Sequence, residues 1–328
     1  MNRRNFLVGT AAGAAAIAGF SGTGLGQGAA QGRGGAAQGR GGRGGRGPSP
    51  ANVPAHKLAR ISMMTLQFGM YRIPTREGAP RTPDQTLTVM DLPKMVVDYY
   101  GVHNLEFQLG DVRPSETDPN FIRELKAKLD EQSVTMSQIN MEIGGAMSMA
   151  ADAAGRRQGI DLLKKWVDIA NQYGCKRLML NQSQNNLTKE KRADAVAYLK
   201  EVADAGRPSG VMFSVETRGA GNAELIANLG MKPWEFMIGI VEDAGANSTV
   251  DIGNVGAQNQ QELHDCIRAW HPYSNGNMHI KSNPNWDMGK AVTFAESLGY
   301  TGLYALEINN AGHGAIRIAY NTILANIA

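Results

Sequence analysis

Residues 277–308 have the sequence NMHIKSNPNWDMGKAVTFAESLGYTGLYALEI, and this stretch decides the fold. It contains a short apolar run (Asn277–Ile280), a longer amphipathic stretch (Asp287–Leu298) and a second short apolar run (Leu303–Ile308). Short apolar runs predict buried strands, and longer amphipathic stretches predict helices. Gly299 follows the amphipathic stretch, where the left-handed end of a helix favours glycine. The stretch therefore predicts one strand–helix–strand unit of a parallel sheet.

The same alternation extends from Lys57 to the C-terminus. Six further strands are predicted at Ile61–Phe68, Asn104–Leu109, Thr135–Asn140, Arg177–Asn181, Met212–Glu216 and Thr249–Ile252. The eight predicted helices are Leu92–Tyr100, Asn120–Gln132, Gly159–Tyr173, Lys189–Ala205, Pro233–Ala244, Gln261–Trp270, Asp287–Leu298 and Ala315–Ile327. Glycines that stand like Gly299 before a strand are Gly101, Gly174 and Gly245.

Eight strand–helix units close naturally into an α/β fold of the (β/α)₈ type, a TIM barrel, which we predict over residues 57–328. An open, doubly wound parallel sheet is the competing fold. Such a sheet usually carries a glycine-rich phosphate-binding loop after its first strand, and residues 67–70 (QFGM) offer none. The pattern therefore favours the barrel.

The first 56 residues differ in composition from the rest of the chain. Residues 1–20, MNRRNFLVGTAAGAAAIAGF, combine Arg3 and Arg4 with a weakly apolar run rich in Ala and Gly. This pattern resembles a twin-arginine export signal, which we assign to residues 1–30. Residues 31–56 are rich in Gly, Arg, Gln and Ala, and they predict a disordered linker because they bury too little apolar surface to offset their ordering entropy. A periplasmic or secreted protein with no membrane anchor after signal cleavage is therefore expected.

Charge is unevenly distributed along the chain. The formal net charge is +3, yet residues 1–56 contain six arginines and no acidic residue. The remaining residues therefore carry a small net negative charge. They lack the cluster of basic residues that is typical of a nucleic-acid-binding protein, so no nucleic-acid partner is expected. A homo-oligomer remains possible.

Four consecutive predicted strands each carry a side chain that binds metals. The fifth strand ends at Glu216, the sixth carries Asp251, the seventh His279 and the eighth Glu307. Their separations are 35, 28 and 28 residues, which matches the repeat of one strand–helix unit. Functional side chains of such barrels lie at the carboxyl ends of the strands, so we expect the four to converge. Three carboxylates and one imidazole suit one divalent ion, which would be Mn²⁺, Co²⁺, Mg²⁺ or Zn²⁺.

This set resembles the xylose isomerase-like barrel superfamily, and in particular its sugar-phosphate isomerase/epimerase and ketose 3-epimerase branch. The resemblance covers residues 57–328. In that family the ligand order on the last four strands is Glu, Asp, His, Glu. The matching residues here are Glu216, Asp251, His279 and Glu307. The family's His-x-Lys is matched by His279 and Lys281, but its histidine three residues after the Asp ligand is replaced by Asn254. Asparagine can hydrogen-bond a sugar oxygen but does not titrate near neutrality, so substrate and reaction stay open.

The resemblance implies a divalent-metal-dependent sugar isomerase or epimerase. The metal would polarise a carbonyl and stabilise an enediolate, while Glu216 and Glu307 remove and return a proton on opposite faces of the neighbouring carbon. Lys281 is expected either to add positive charge near the reacting oxygen or to pair with a barrel carboxylate.

Further residues are predicted to contact a small sugar substrate. These are Glu106, Asn254, Trp286 and His313. Structural hydrogen bonding is the alternative for Glu106, and plain packing is the alternative for Trp286. No cluster of basic residues stands out for a phosphate group, so an unphosphorylated sugar is expected.

Three other functions fit parts of the pattern. A lyase or hydrolase of 3-keto-glycosides would use the same metal site and the same abstraction of the α proton, and would then expel the β substituent. An endonuclease barrel acting on abasic DNA would need a trinuclear zinc site rich in histidine. A non-catalytic exported sugar-binding barrel would not need carboxylates on both sides of the metal, so we favour an enzyme.

Overall fold

The computed structural model describes residues 53–74, 79–183, 187–217, 231–309 and 311–328. The predicted signal peptide (1–30) and most of the predicted linker (31–56) lie outside the described residues, so both interpretations stay predictions. Within the described ranges, no helix is long and apolar enough to cross a lipid bilayer.

Eight parallel strands form a closed barrel in which each strand pairs with the next and the last pairs with the first. The strands are β1 (Ile61–Met64), β2 (Asn104–Gln108), β3 (Thr135–Met141), β4 (Arg177–Leu180), β5 (Met212–Glu216), β6 (Asn247–Asp251), β7 (Ser274–Ile280) and β8 (Leu303–Leu306). The predicted (β/α)₈ barrel is therefore confirmed, and the open sheet is excluded.

Helices surround the barrel and bury their apolar faces against it. The helices of the described ranges are α1 (Ala55–Leu58), α2 (Leu92–Tyr100), α3 (Leu109–Val112), α4 (Pro119–Glu131), α5 (Ala153–Tyr173), α6 (Arg192–Gly206), α7 (Pro233–Ala244), α8 (Gln260–Trp270), α9 (Met288–Ser297) and α10 (His313–Asn326). In α5, for example, Leu163 and Trp166 are three residues apart and fully buried, as a helix with one apolar face requires. The four glycines predicted at helix ends all have positive φ, between 60° and 81°.

Four strands are shorter than predicted, β2 and β4 by one residue and β1 and β8 by more. β1 was expected to reach Phe68, but Thr65–Phe68 forms a turn of 3₁₀ helix in which Phe68 is fully buried. β8 ends at Leu306, one residue before Glu307. An apolar run that leaves the sheet and packs in the first loop cannot be told from a longer strand by periodicity.

The strand registers bring the ends of the last three strands to one level. Asp251 of β6 pairs with His279 of β7. Ile280 of β7 pairs with Leu306 of β8, so that the next residues, Lys281 and Glu307, follow side by side. Residues that are far apart in sequence therefore meet at the carboxyl ends of the strands. We call this end of the barrel the barrel mouth.

Candidate metal centre

The structure brings the four predicted ligand side chains together at the barrel mouth. Glu216, Asp251, His279 and Glu307 form a four-residue cluster in which one ligand atom of each lies within 4.8 Å of the others. All four side chains are buried, with at most 7% of the residue surface exposed. The cluster could therefore hold one metal ion, and burial of three carboxylates calls for compensating positive charge.

The distances from His279 to the three carboxylates fit one divalent ion. Nδ1 of His279 lies 3.3 Å from Glu307 Oε2, and 3.6 Å from both Glu216 Oε1 and Asp251 Oδ2. Atoms that ligate one ion at roughly 2.1 Å lie about 3–3.5 Å from each other. Nδ1 of His279 and Oε2 of Glu307 are buried and make no hydrogen bond. An ion between these atoms would satisfy both of them.

Glu106 lies behind His279, in a position that fits the alternative of structural hydrogen bonding. Nε2–H of His279 donates to Glu106 Oε1 at 2.8 Å. Glu106 is fully buried and also accepts hydrogen bonds from Gln138 at 3.1 Å and from Asn277 at 2.6 Å. A carboxylate in this position holds the proton on Nε2, so Nδ1 faces the three carboxylates and is the atom that would bind a metal, as in many metal-binding histidines.

The charged groups of the cluster stabilise each other. Burial lowers the pKa of His279. The negative charge of Glu106 and the hydrogen bonds of the ring raise this pKa by more than burial lowers it, so it lies well above its ordinary value of 6.5. Burial raises the pKa of Asp251, but the charges of Lys281 and His279 bring it below the ordinary range. Without a metal, a proton on Nδ1 therefore supplies part of the positive charge, and a divalent ion would replace that proton.

Lys281 and Asn254 both contact the ligand carboxylates. Nζ of Lys281 lies 2.8 Å from Asp251 Oδ2 and 2.8 Å from Glu307 Oε1. Lys281 therefore pairs with barrel carboxylates, which was one of its two expected roles. Burial lowers the pKa of Lys281, but Asp251 and Glu307 raise it more, so the ammonium group stays charged. Nδ2 of Asn254 donates to Glu216 Oε1 at 3.0 Å and to Asp251 Oδ2 at 2.9 Å. The amide predicted to bind sugar thus uses its N–H groups to orient two ligands.

His313 and Trp286 both pack against other side chains of the protein. The ring of His313 stacks between Tyr71 and Tyr99, with centroid distances of 4.3 and 4.6 Å, and its Nδ1 is 2.7 Å from the Tyr100 hydroxyl. Both faces of the ring are therefore covered, which argues against the predicted sugar contact. Trp286 is 8% exposed and packs within the hydrophobic core, which agrees with the packing alternative.

Sequence reasoning missed a polar layer beneath the cluster. Nδ2 of Asn275 lies 2.8 Å from Gln138 Oε1 and 2.8 Å from Thr249 Oγ1, and Gln138 and Asn277 both donate to Glu106. The sequence of β7 did contain a sign of this polar layer. Asn275, Asn277 and His279 occupy alternate positions of the strand and therefore share its inner face. Barrel interiors are normally filled by branched apolar side chains, so a polar layer indicates support for a buried charge.

Gly253 provides the space for Lys281, and its replacement gives a testable result. A Cβ atom at Gly253 would lie 2.5 Å from Cδ and 2.7 Å from Cβ of Lys281. Gly253→Ala is expected to push Lys281 away from Asp251, to cost about 1–3 kcal/mol of stability through overpacking and to weaken metal binding. Thermal unfolding and calorimetric metal titration measure the two effects. Gly110→Ala is the matched control, since a Cβ there meets no atom within 4 Å; equal behaviour of the two variants would contradict the assignment.

The comparisons with known proteins agree with the barrel. The profile of a family described as xylose isomerase-like TIM barrel matches residues 97–319. No protein of curated function matches the chain by sequence. Among solved structures, D-psicose 3-epimerase from Clostridium cellulolyticum H10, with D-tagatose, superposes with a TM-score of 0.58 at 13% identity, over 81% of this chain and 96% of that one.

Two further solved structures show the same likeness. A xylose isomerase-like TIM barrel protein from Mycobacterium smegmatis, in complex with magnesium, has a TM-score of 0.56 at 16% identity, over 86% of this chain and 100% of its own. The apo form of 3-keto-D-glucoside 4-epimerase from E. coli has a TM-score of 0.56 at 11% identity, over 81% of this chain and 97% of its own. At these identities the likeness concerns the fold alone.

Proposed function

Because the chain belongs to the xylose isomerase-like TIM barrel family, we propose that it is a metal-dependent sugar isomerase or epimerase. Its reaction would move a proton on the carbon next to a carbonyl group. The observation that carries this proposal is the buried four-residue cluster, in which one ligand atom of each residue lies within 4.8 Å of the others and Nδ1 of His279 lies 3.3–3.6 Å from an oxygen of each carboxylate. Two of the structural relatives, D-psicose 3-epimerase and 3-keto-D-glucoside 4-epimerase, are sugar epimerases, so the fold that they share with this chain is compatible with the proposed class.

The residues that would hold the ion are the four of the cluster. A divalent ion bound there supplies Lewis acidity to a substrate carbonyl. Oxygen-rich sites with one imidazole suit Mn²⁺, Co²⁺, Mg²⁺ or Zn²⁺, and the magnesium in the Mycobacterium smegmatis relative belongs to this group. The cluster contains a single histidine, which fits one ion and not the histidine-rich trinuclear zinc site of the endonuclease hypothesis.

Two carboxylates of the cluster are suited to move the proton. Glu216 ends β5 and Glu307 follows β8, so they approach the barrel mouth from positions separated by β6 and β7. Oε1 of Glu216 accepts a hydrogen bond from Asn254, and Oε1 of Glu307 is held by Lys281. A substrate carbon between them could lose a proton to one carboxylate and regain one from the other. Lys281 adds positive charge beside the negative charge that develops on the substrate oxygens.

Exchange of substrate hydrogen with solvent tests the proposal. The purified barrel is loaded with Mn²⁺, Co²⁺, Mg²⁺ or Zn²⁺ in D₂O and incubated with D-fructose, D-psicose, D-tagatose and 3-keto-glucosides. NMR is expected to show loss of one C–H signal and growth of an isomer or epimer, with loss of both effects after chelation. Protein that binds metal and sugar but exchanges no hydrogen would reject the proposal and support a non-catalytic sugar-binding barrel.

The same experiment separates a second candidate function. A 3-keto-glycoside lyase or hydrolase begins with the same abstraction of the α proton, and the structural likeness to 3-keto-D-glucoside 4-epimerase favours a test on these substrates. Its signature is release of the aglycone from a 3-keto-glucoside. Deuterium incorporation without released aglycone supports the epimerase, whereas stoichiometric aglycone release supports the lyase or hydrolase.

A further inference from the structure

At the ends of β2 and β4 the barrel mouth carries two amide side chains. Gln108 is the last residue of β2, and Asn181 directly follows β4. Each is 8% exposed, and each has a buried polar atom with no hydrogen-bond partner, which is Nε2 in Gln108 and Oδ1 in Asn181. Buried polar atoms of folded proteins are nearly always satisfied, so these two require a partner.

Strand geometry directs Gln108 toward the interior of the barrel. Side chains alternate along a strand, so Gln108 lies on the same face as Glu106, which contacts His279 inside the barrel. Gln108 is two residues closer to the mouth than Glu106. It pairs with Asn140 of β3, whose Oδ1 accepts a hydrogen bond from Gln138 in the barrel interior.

The same reasoning places Asn181 beside the four-residue cluster. Asn181 lies two residues beyond Met179, whose sulfur lies 3.5 Å from Gln138 Nε2 inside the barrel. Leu180 of β4 pairs with Val215 of β5, so the next residues along the two strands, Asn181 and Glu216, stand side by side. Gln108, Asn140, Asn181 and Glu216 therefore form a continuous arc that leads from the amides to the candidate metal ligands.

We propose that Gln108 and Asn181 form a hydroxyl-binding subsite, here called the amide subsite, for the part of a neutral keto-sugar that extends away from the metal. This inference rests on the proposed function. A sugar hydroxyl both donates and accepts hydrogen bonds, and the subsite offers one unpaired N–H donor and one unpaired carbonyl acceptor. The predicted ligand is a polyhydroxylated chain long enough to reach from Glu216 to β2.

The charges near the mouth also favour a neutral sugar. Among the described residues that follow the strand ends, Lys281 is engaged by Asp251 and Glu307, and Arg72 is engaged by Asp111 in a buried ion pair. A phosphate on the extended end of the sugar would need to break one of these pairs to bind Lys281 or Arg72. Uncharged amides recognise hydroxyl groups without this cost.

The test compares sugar binding by variants that lose the amide and keep its size. Gln108→Met and Asn181→Leu are loaded with Mn²⁺ and titrated calorimetrically with D-fructose, D-psicose, D-tagatose and their 6-phosphates. Each variant is expected to bind the preferred neutral sugar about tenfold more weakly, as for one lost hydrogen bond, with unchanged Mn²⁺ affinity. Gln172→Met, on the exposed face of α5, is the control and should bind like the wild type.

Deoxy sugars identify the hydroxyl that is bound. A deoxy analogue that lacks the bound hydroxyl should bind the wild type about tenfold more weakly than the parent sugar does. It should bind Gln108→Met or Asn181→Leu as tightly as the parent sugar binds that variant, because removing the hydroxyl and removing the amide abolish the same hydrogen bond. Unchanged sugar affinity in both variants, tighter binding of a 6-phosphate by the wild type, or no binding of any neutral keto-sugar would overturn the amide subsite. Sugar binding that depends on the amides without hydrogen exchange would leave the subsite standing and reject the proposed isomerase or epimerase activity.

Discussion

Replacing Glu307 with glutamine is expected to lower the interconversion of keto-sugars by a factor of about 10²–10⁴, since an amide can neither accept nor return the proton. Glutamine keeps the size of the side chain, and its carbonyl oxygen can still accept a hydrogen bond from Lys281, which lies 2.8 Å from Glu307 Oε1 in the wild type. The three other ligands of the cluster are unchanged. The turnover number by NMR and the metal content of the variant are the two measurements.

A reaction with two proton-transferring carboxylates gives a second signature. In Glu307→Gln, the remaining Glu216 can still remove and return the proton that faces it, so one epimer is expected to exchange hydrogen with D₂O without inversion. Glu216→Gln serves as the matched control and is expected to favour the opposite epimer. Interconversion at the wild-type rate by either variant would contradict the proposed roles. If measurement of the metal content shows that both variants have lost their metal, the lost activity is caused by the loss of metal binding and not by the loss of proton transfer.

The fold and the cluster were predictable because both depend on spacing along the chain. One strand–helix unit takes about 30 residues in a (β/α)₈ barrel of roughly 250 residues, and Asp251, His279 and Glu307 recur at 28-residue intervals. Parallel strands in register then bring such positions to one level, as the pairing of Asp251 with His279 shows. A periodic pattern of ligand-type residues therefore carries information about position in space.

Depth inside the barrel was not predictable in the same way. Alternation along β2 correctly places Glu106 on the inner face, but it does not tell which inward residue lies at the mouth. In the structure Gln108 occupies the level nearer the mouth, and Glu106 lies one layer below it, behind His279. For this reason the sequence could not decide between substrate contact and structural hydrogen bonding for Glu106, and the observed contacts fit structural hydrogen bonding.

Contacts between distant segments were the other missing information. His313 begins α10 directly after the loop that follows β8, a position from which it could have faced the substrate. Tyr71, from the first loop, and Tyr99, from α2, instead enclose its ring. More than 200 residues separate His313 from either tyrosine, and no local pattern in the sequence reports such a packing arrangement.

Removal of the Glu106 carboxylate is expected to weaken metal binding about 10–100-fold, although Glu106 is not among the four ligands. In Glu106→Leu, Nε2–H of His279 loses its acceptor, as does Nδ2 of Asn277, so the imidazole is no longer held with Nδ1 toward the cluster. Glu106→Gln keeps an oxygen that can accept from Nε2–H but removes the negative charge, so its loss should be smaller. Calorimetric titration with Mn²⁺ or Zn²⁺ measures the affinities, and circular dichroism verifies that the variants fold.

The pH dependence of metal binding separates a positioning role of Glu106 from simple damage to the fold. Metal and proton compete for Nδ1 of His279, so metal affinity falls as the pH drops below the pKa of this residue. Burial lowers that pKa, but Glu106 raises it well above 6.5 in the wild type, and Glu106→Gln removes the main cause of the rise. The variant should therefore begin to lose metal at a lower pH, and its deficit relative to the wild type should shrink on acidification. Glu296→Gln, which breaks an ion pair with Arg60 elsewhere in the barrel, is the control and should leave this profile unchanged. A deficit of constant size at every pH would show that Glu106 acts only through stability.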